Sequence, residues 1–138
     1  MKRMYGYTLM EMMIVIVIMG ILASIAYPAY QEHVRSSKRA SAQATLMELA
    51  QFMERHYTAH GRYTTADSDA PTLPFDKVPR DSATASYTLA LSRVDDFSYA
   101  LVATPVNDMS DDKCGHLVLT DRGGKSSSRG APTDCWRQ

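Results

Sequence analysis

Residues 6–31 read GYTLMEMMIVIVIMGILASIAYPAYQ, and this stretch decides how the rest of the chain is read. From Met12 to Gln31 there are twenty consecutive residues without a charge, and most of Met12 to Ala26 is strongly apolar. Twenty helical residues rise about 30 Å, enough to cross the hydrocarbon core of a bilayer. Lys2 and Arg3 precede the run as a short basic region. Three readings compete on these residues. One is a secretory signal peptide cut after the run, with Ser24-Ile25-Ala26 as a small-x-small site. Another is a plain single-span anchor. The third is a leader cut before the run, after Gly6.

Glu11 separates these readings. A lone carboxylate at the start of an apolar span is costly if buried in lipid and cheap near an interface. As a flanking charge it would be unremarkable. Cleavage after Gly6 would place a new amine four residues before it, with Tyr7 as the first residue and Glu11 as the fifth.

The run Gly6-Tyr7-Thr8-Leu9-Met10-Glu11 followed by an apolar segment resembles the type IV pilin signature. The resemblance implies that a prepilin peptidase cuts after Gly6 and that Tyr7 is methylated. Glu11 matches the family's assembly glutamate. Gly20 and Pro28 match its glycine and proline at the fourteenth and twenty-second mature positions. The departure is Tyr7, where the family usually has phenylalanine. The short leader is similar to that of type IVa members. Gly20 and Pro28 would weaken the helix, since Pro28 lacks an N–H and its ring clashes with the preceding turn. In the family, the segment between these two positions melts on packing into a filament.

The expected organisation is therefore a cleaved leader at 1–6, a membrane or filament-core helix half at 7–31, and an exported head at 32–138. Removing Lys2 and Arg3 from the 15 basic residues leaves 13 against 15 acidic ones, a formal side-chain charge of −2. Lys2 and Arg3 would hold the N-terminus on the cytoplasmic side.

Beyond Pro28 the chain becomes amphipathic. Val34, Ala42, Leu46, Leu49, Met53 and Tyr57 recur mainly three and four apart, with charges such as Glu32, Arg35, Lys38, Arg39 and Glu48 mostly off that stripe. The helix is expected to end near Ala59 or His60, with Gly61 as its stop. A helix from Tyr7 to Ala59 would be about 80 Å long. No second helix of comparable quality follows, so the stripe is expected to meet a sheet. Gly61 to Ala85, with Pro71, Pro74 and Pro79, reads as a connecting loop. Strands are expected at Tyr87–Leu91, Ser98–Val106 and His116–Thr120, with Arg93-Val94-Asp95-Asp96 as a hairpin connection and a weak fourth strand after Gly124. The predicted class is α+β, the type IV pilin fold: a long N-terminal helix whose C-terminal half packs on a small antiparallel sheet.

There are two cysteines, Cys114 and Cys135. Export would place them where disulfides form. Joined, they close 22 residues, a constraint of about 3 kcal/mol. Two free buried thiols are the alternative, and CxxC redox spacing is absent. The resemblance implies the disulfide-bounded C-terminal loop of pilins. Its contents, GGKSSSRGAPTD, suggest little regular structure. Lys113, Arg122, Lys125, Arg129 and Arg137 face only Asp121 and Asp134, a local charge of +3. With Trp136 this cluster is a candidate contact for DNA or another partner. The preferred reading is a solvated, sign-mixed surface with Trp136 packing over the disulfide.

The chemistry of an enzyme is not legible. His56 and His60 are four apart, but HYTAH lacks the glutamate of HExxH. The acidic run Asn107 to Asp112 does not follow EF-hand spacing and reads as a solvated turn. No positioned base accompanies the serines at 126–128. The expectation is no enzyme, no cofactor and no metal. The expected role is a structural pilus subunit, a minor pilin that primes or supports assembly, adhesion and twitching. Alternatives are a major pilin, a DNA-uptake pilin or a type II secretion pseudopilin. Expected partners are other pilins, the prepilin peptidase and the inner-membrane assembly platform. Its expected location is the inner membrane before assembly and the surface pilus after it.

Overall fold

The computed structural model describes residues 7–136. Gly6, the expected cleavage glycine, lies outside the described residues. The chain divides into two compact units, Met1–Val34 and Arg35–Gln138.

A single helix, α1, runs from Leu9 to His60 and contributes to both units. Thr8 caps its start: the Glu11 amide donates to Thr8 Oγ1 at 3.2 Å, satisfying an orphan donor of the first turn. Pro28 lies inside the helix, which continues through it. In the first unit α1 contains a window of mean hydropathy 2.5, long and apolar enough to cross a membrane, and none of that window is buried. The helix stops where the sequence predicts. Gly61 adopts φ +71°, and its amide donates to Tyr57 O at 2.7 Å.

The second unit is an α+β head. Its five-stranded antiparallel sheet is a simple meander, β1 to β5 in order: Lys77–Val78, Tyr87–Val94, Tyr99–Pro105, Leu117–Thr120 and Lys125–Ser127. Cross-strand register aligns the apolar side chains in rows. Leu89 faces Ala103, which faces Leu117, and Leu91 faces Leu101, which faces Leu119. These rows form one core cluster with Ala42, Leu46, Leu49 and Met53 of α1. The helical stripe thus finds the sheet it requires.

Several expectations need correction. Lys77–Val78 pairs with Tyr87 and Thr88, so the proline-rich stretch is not all loop. Two residues carry too little periodicity to be seen. Arg93 and Val94 extend β2 past a bulge, and the hairpin turn begins at Asp95. There Asp95 accepts from the Phe97 and Ser98 amides, at 2.9 and 2.8 Å, which fixes the turn two residues later. The polar C-terminal segment also holds regular structure. Lys125–Ser127 forms β5, the weak strand expected after Gly124, and Pro132–Cys135 forms the short helix α2, which was not expected. β5 is ordered by pairing with β4 and not by any apolar alternation of its own.

Candidate functional site

The candidate site is the segment closed by the disulfide, together with the helix residues that hold it. Cys114 and Cys135 are bonded, with their Cα atoms 5.6 Å apart. Two side chains on adjacent turns of α1 hold the two ends. Arg39 reaches Asp112 in a bidentate pair, Nη2 to Oδ1 at 2.6 Å and Nε to Oδ2 at 3.1 Å. Gln43 donates from Nε2 to the backbone oxygen of Cys135 at 2.5 Å.

Arg39 and Asp112 are almost fully buried. A buried charge needs hydrogen-bond partners, and both carboxylate oxygens of Asp112 have them. Asp112 Oδ2 also accepts from the Tyr87 hydroxyl at 3.3 Å and from the Cys114 amide at 3.2 Å. Burial pushes the Asp112 carboxyl up, but Arg39 and the two further donors outweigh it and hold the group below its ordinary value. Burial and the neighbouring carboxylate push the Tyr87 hydroxyl up, so it stays a donor. The acidic run is therefore not simply a solvated turn: Asp112 is core, and Asp108 at its other end pairs with Lys38. Arg39 is likewise on the buried stripe and not off it.

Inside the disulfide, the segment is laced to itself. Ser128 N donates to His116 O at 3.0 Å, and Arg129 N donates to Cys114 O at 3.1 Å. Gly115 adopts φ +61°, and a Cβ there would lie 2.2 Å from Ser128 Oγ and 3.2 Å from Arg129 Cγ. Only glycine satisfies both the conformation and the close approach. Trp136 is buried, and its Nε1 donates to Ser126 O at 2.9 Å. It offers no free face for stacking on a base, so it leaves the candidate contact set. Lys125 Nζ lies 5.6 Å from its ring centroid.

The cations remain at the surface along the sheet edge made by β5. Arg122 sits in the β4–β5 turn with its side chain 92% exposed, 3.8 Å from Asp121. Lys125 opens β5 and Arg129 follows it, both exposed. Arg129 carries no side-chain ion pair among the described residues. Lys113 is exposed beside Cys114.

Elsewhere, His56 Nε2 lies 3.1 Å from Thr64 O and His60 Nδ1 lies 2.9 Å from His56 O. Among the described residues no three His, Cys, Asp or Glu side chains are grouped to hold a metal ion. Sequence reasoning missed Arg39, Gln43 and Asp112. The signal was present for Arg39, which precedes Ala42, Leu46, Leu49 and Met53 in a three-four-three-four rhythm.

The fold and the apolar helix are matched by known proteins. The model of the type IV minor pilin ComP, DNA uptake sequence receptor, matches residues 28–118, about two thirds of the chain. The chain belongs to the ComP family of type IV minor pilins. A second model, the prokaryotic N-terminal methylation motif, matches residues 1–27 of this pilin. The type IV major pilin protein PilE1 of Neisseria gonorrhoeae is 35% identical over 65 residues, 47% of this chain and 39% of that one. The type II secretion system core protein G of Dickeya chrysanthemi is 27% identical, covering 78% of this chain and 84% of its own. The crystal structure of the Neisseria meningitidis non-core minor pilin PilV superposes with TM-score 0.53 and 25% identity, covering 75% of this chain and 94% of that one. Against the first fimbrial relatives the match spans a quarter to two-fifths of their length.

Proposed function

We propose that this minor pilin is a structural, non-enzymatic pilus subunit whose head presents the β5 edge to DNA during uptake. The observation that carries the reading is that three exposed cations, Arg122 in the β4–β5 turn, Lys125 at the start of β5 and Arg129 beyond its end, fall within the segment closed by the disulfide. Phosphate contacts of this kind supply affinity and orientation and make binding depend on salt. The family model, described as a DNA uptake sequence receptor, supports a role in DNA uptake, though its match ends at residue 118, before this edge. Priming, adhesion and twitching, preferred from sequence, rest on chain length and compactness, which suit a DNA-binding subunit equally well.

Maturation in this reading cuts after Gly6 and methylates Tyr7. The apolar half of α1 then holds the subunit in the inner membrane, N-terminus cytoplasmic, until the assembly platform extracts it to join other pilins. Deletion of the gene, followed by imaging of pili and assays of DNA uptake and twitching, tests the function. Piliated, twitching cells that no longer take up DNA are expected. Loss of pili would instead make the subunit an assembly primer. For the purified pilin, Arg129→Ala is expected to weaken duplex binding and to lower the slope of log affinity against log salt by about 1.

A further inference from the structure

A notch of about 110 Å³ opens where the chain entering β4 passes the chain leaving β5, lined by Pro105, Ser110, Gly115, His116, Ser128 and Arg129. Small-molecule pockets run to roughly 300–1,000 Å³, so this one has room for a single small group. None of its lining residues is acidic. The backbone builds it. The His116 amide donates to Ser128 Oγ at 2.8 Å, and the Ser128 amide returns a bond to His116 O at 3.0 Å. Arg129 folds over Gly115, where a Cβ would lie 3.2 Å from Arg129 Cγ and 3.4 Å from its Cδ. Glycine at 115 thus leaves the space in which Ser128 and Arg129 close the notch.

Several hydrogen-bond donors there are unused. His116 Nδ1 lies 3.1 Å from Thr104 Oγ1, which fixes the ring and leaves Nε2 without a partner among the described residues. The Ser128 hydroxyl accepts from the His116 amide and keeps its own hydrogen to give. The Ser110 hydroxyl and the Arg129 guanidinium make no hydrogen bond among the described residues. Arg129 is the charged side chain lining the notch beside His116, and β3 contributes the neutral Thr104 and Pro105. In the turn that supplies Ser110, Asp108 and Asp112 pair with Lys38 and Arg39, and Asp111 is exposed outside the lining.

Two hydroxyls, an imidazole and a guanidinium around so small a space fit a tetrahedral oxyanion. We infer that, resting on the DNA-facing reading of this head, the notch seats one backbone phosphate of the duplex, held by Ser110, His116, Ser128 and Arg129. Arg129 supplies a permanent charge. His116 adds a second when its ring takes up a proton, which an imidazole does between pH 8 and pH 5. The head therefore grips DNA more firmly in mildly acidic surroundings. A seat of this kind sets the register of the duplex and reads no base.

The test uses the full detergent-solubilised chain, its disulfide checked on non-reducing gels, and a fluorescein-labelled duplex of mixed sequence. Anisotropy titrations at constant salt are expected to show binding about fivefold tighter at pH 6 than at pH 8. His116→Gln keeps a donor but cannot charge, and is expected to bind equally at both pH values. His33, His56 and His60 remain in that variant, so a pH dependence of their making would persist in it. Ser110→Ala is expected to bind about fivefold more weakly at either pH. Equal wild-type affinity at the two pH values, a pH difference that survives in His116→Gln, or full affinity in Ser110→Ala would each overturn the seat while leaving the DNA reading in place. A wild-type chain that does not bind the duplex at all would overturn both. Inorganic phosphate, added at constant ionic strength while the His116 ring is followed by NMR, tests the other source of the same group. A ring that responds to inorganic phosphate and not to the duplex would make the notch a free-phosphate site and overturn its assignment to DNA.

Discussion

The pair between Arg39 and Asp112 is where single residues matter most to this head. Arg39→Met would leave the Asp112 carboxylate buried against only the Tyr87 hydroxyl and the Cys114 amide. Removing one partner of a buried pair typically costs about 3–5 kcal/mol, whereas replacing both with apolar groups is often close to neutral. Arg39→Met is therefore expected to destabilise the head by that amount in urea unfolding of the detergent-solubilised protein. Arg39→Met with Asp112→Leu should recover part of the loss, with the Tyr87 hydroxyl left to find water. The same pair sets an acid limit. Because the folded Asp112 value is depressed, its contribution is complete above the ordinary value of 3.8 and is lost as pH falls through the lower folded value. Thermal unfolding from pH 6 down to pH 2 should show the midpoint falling in that acid range, and the fall should be smaller in the double variant. Arg39 was legible in principle, since it sits on the apolar stripe. Asp112 was not, because nothing in a run of Asp and Ser tells which carboxylate turns inward.

The elements differ in how openly they announce themselves. α1 is written in the spacing of its apolar residues and in Gly61, and its observed end at His60 falls where that spacing expires. β2, β3 and β4 alternate, so their cores were legible to within a few residues. β1 was invisible, since two residues carry no alternation even though Val78 is buried, and β5 was legible only as a weak strand after Gly124, since Lys125–Ser127 buries no side chain and exists because β4 offers it hydrogen bonds. The cysteines were legible as residues. What they organise was not, because Gln43 reaches Cys135 across 92 positions of sequence. The disulfide should matter most to β5. Cys135→Ser is expected to cost about 3 kcal/mol by the loop-entropy argument. Hydrogen exchange should report it unevenly, with the amides of Lys125 to Ser127 losing protection well before those of β2 and β3.

At the scale of the whole molecule, charge is divided by purpose. The 15 basic and 15 acidic residues cancel in sum, yet three exposed cations, Arg122, Lys125 and Arg129, fall at and beside β5, and the lone acid of residues 6–31 is Glu11. Glu11 is exposed, and its side chain answers no partner among the described residues. In the proposed assembly it pairs with the N-terminal amine of a neighbouring subunit. Glu11→Ala is expected to leave export and leader cleavage intact while incorporation into sheared filaments falls sharply. Wild-type incorporation of that variant would remove the charge-pair account. A different consequence belongs to the fastening of the disulfide segment. Its ends are tied to Arg39 and Gln43, one helical turn apart, while its tip at Asp121 to Gly124 touches neither tie. Such a segment is a replaceable cassette: the tip can lengthen, shorten or change its lettering, and the core beneath it need not be rewritten. A lineage could thus revise what this head recognises at little cost to how it folds.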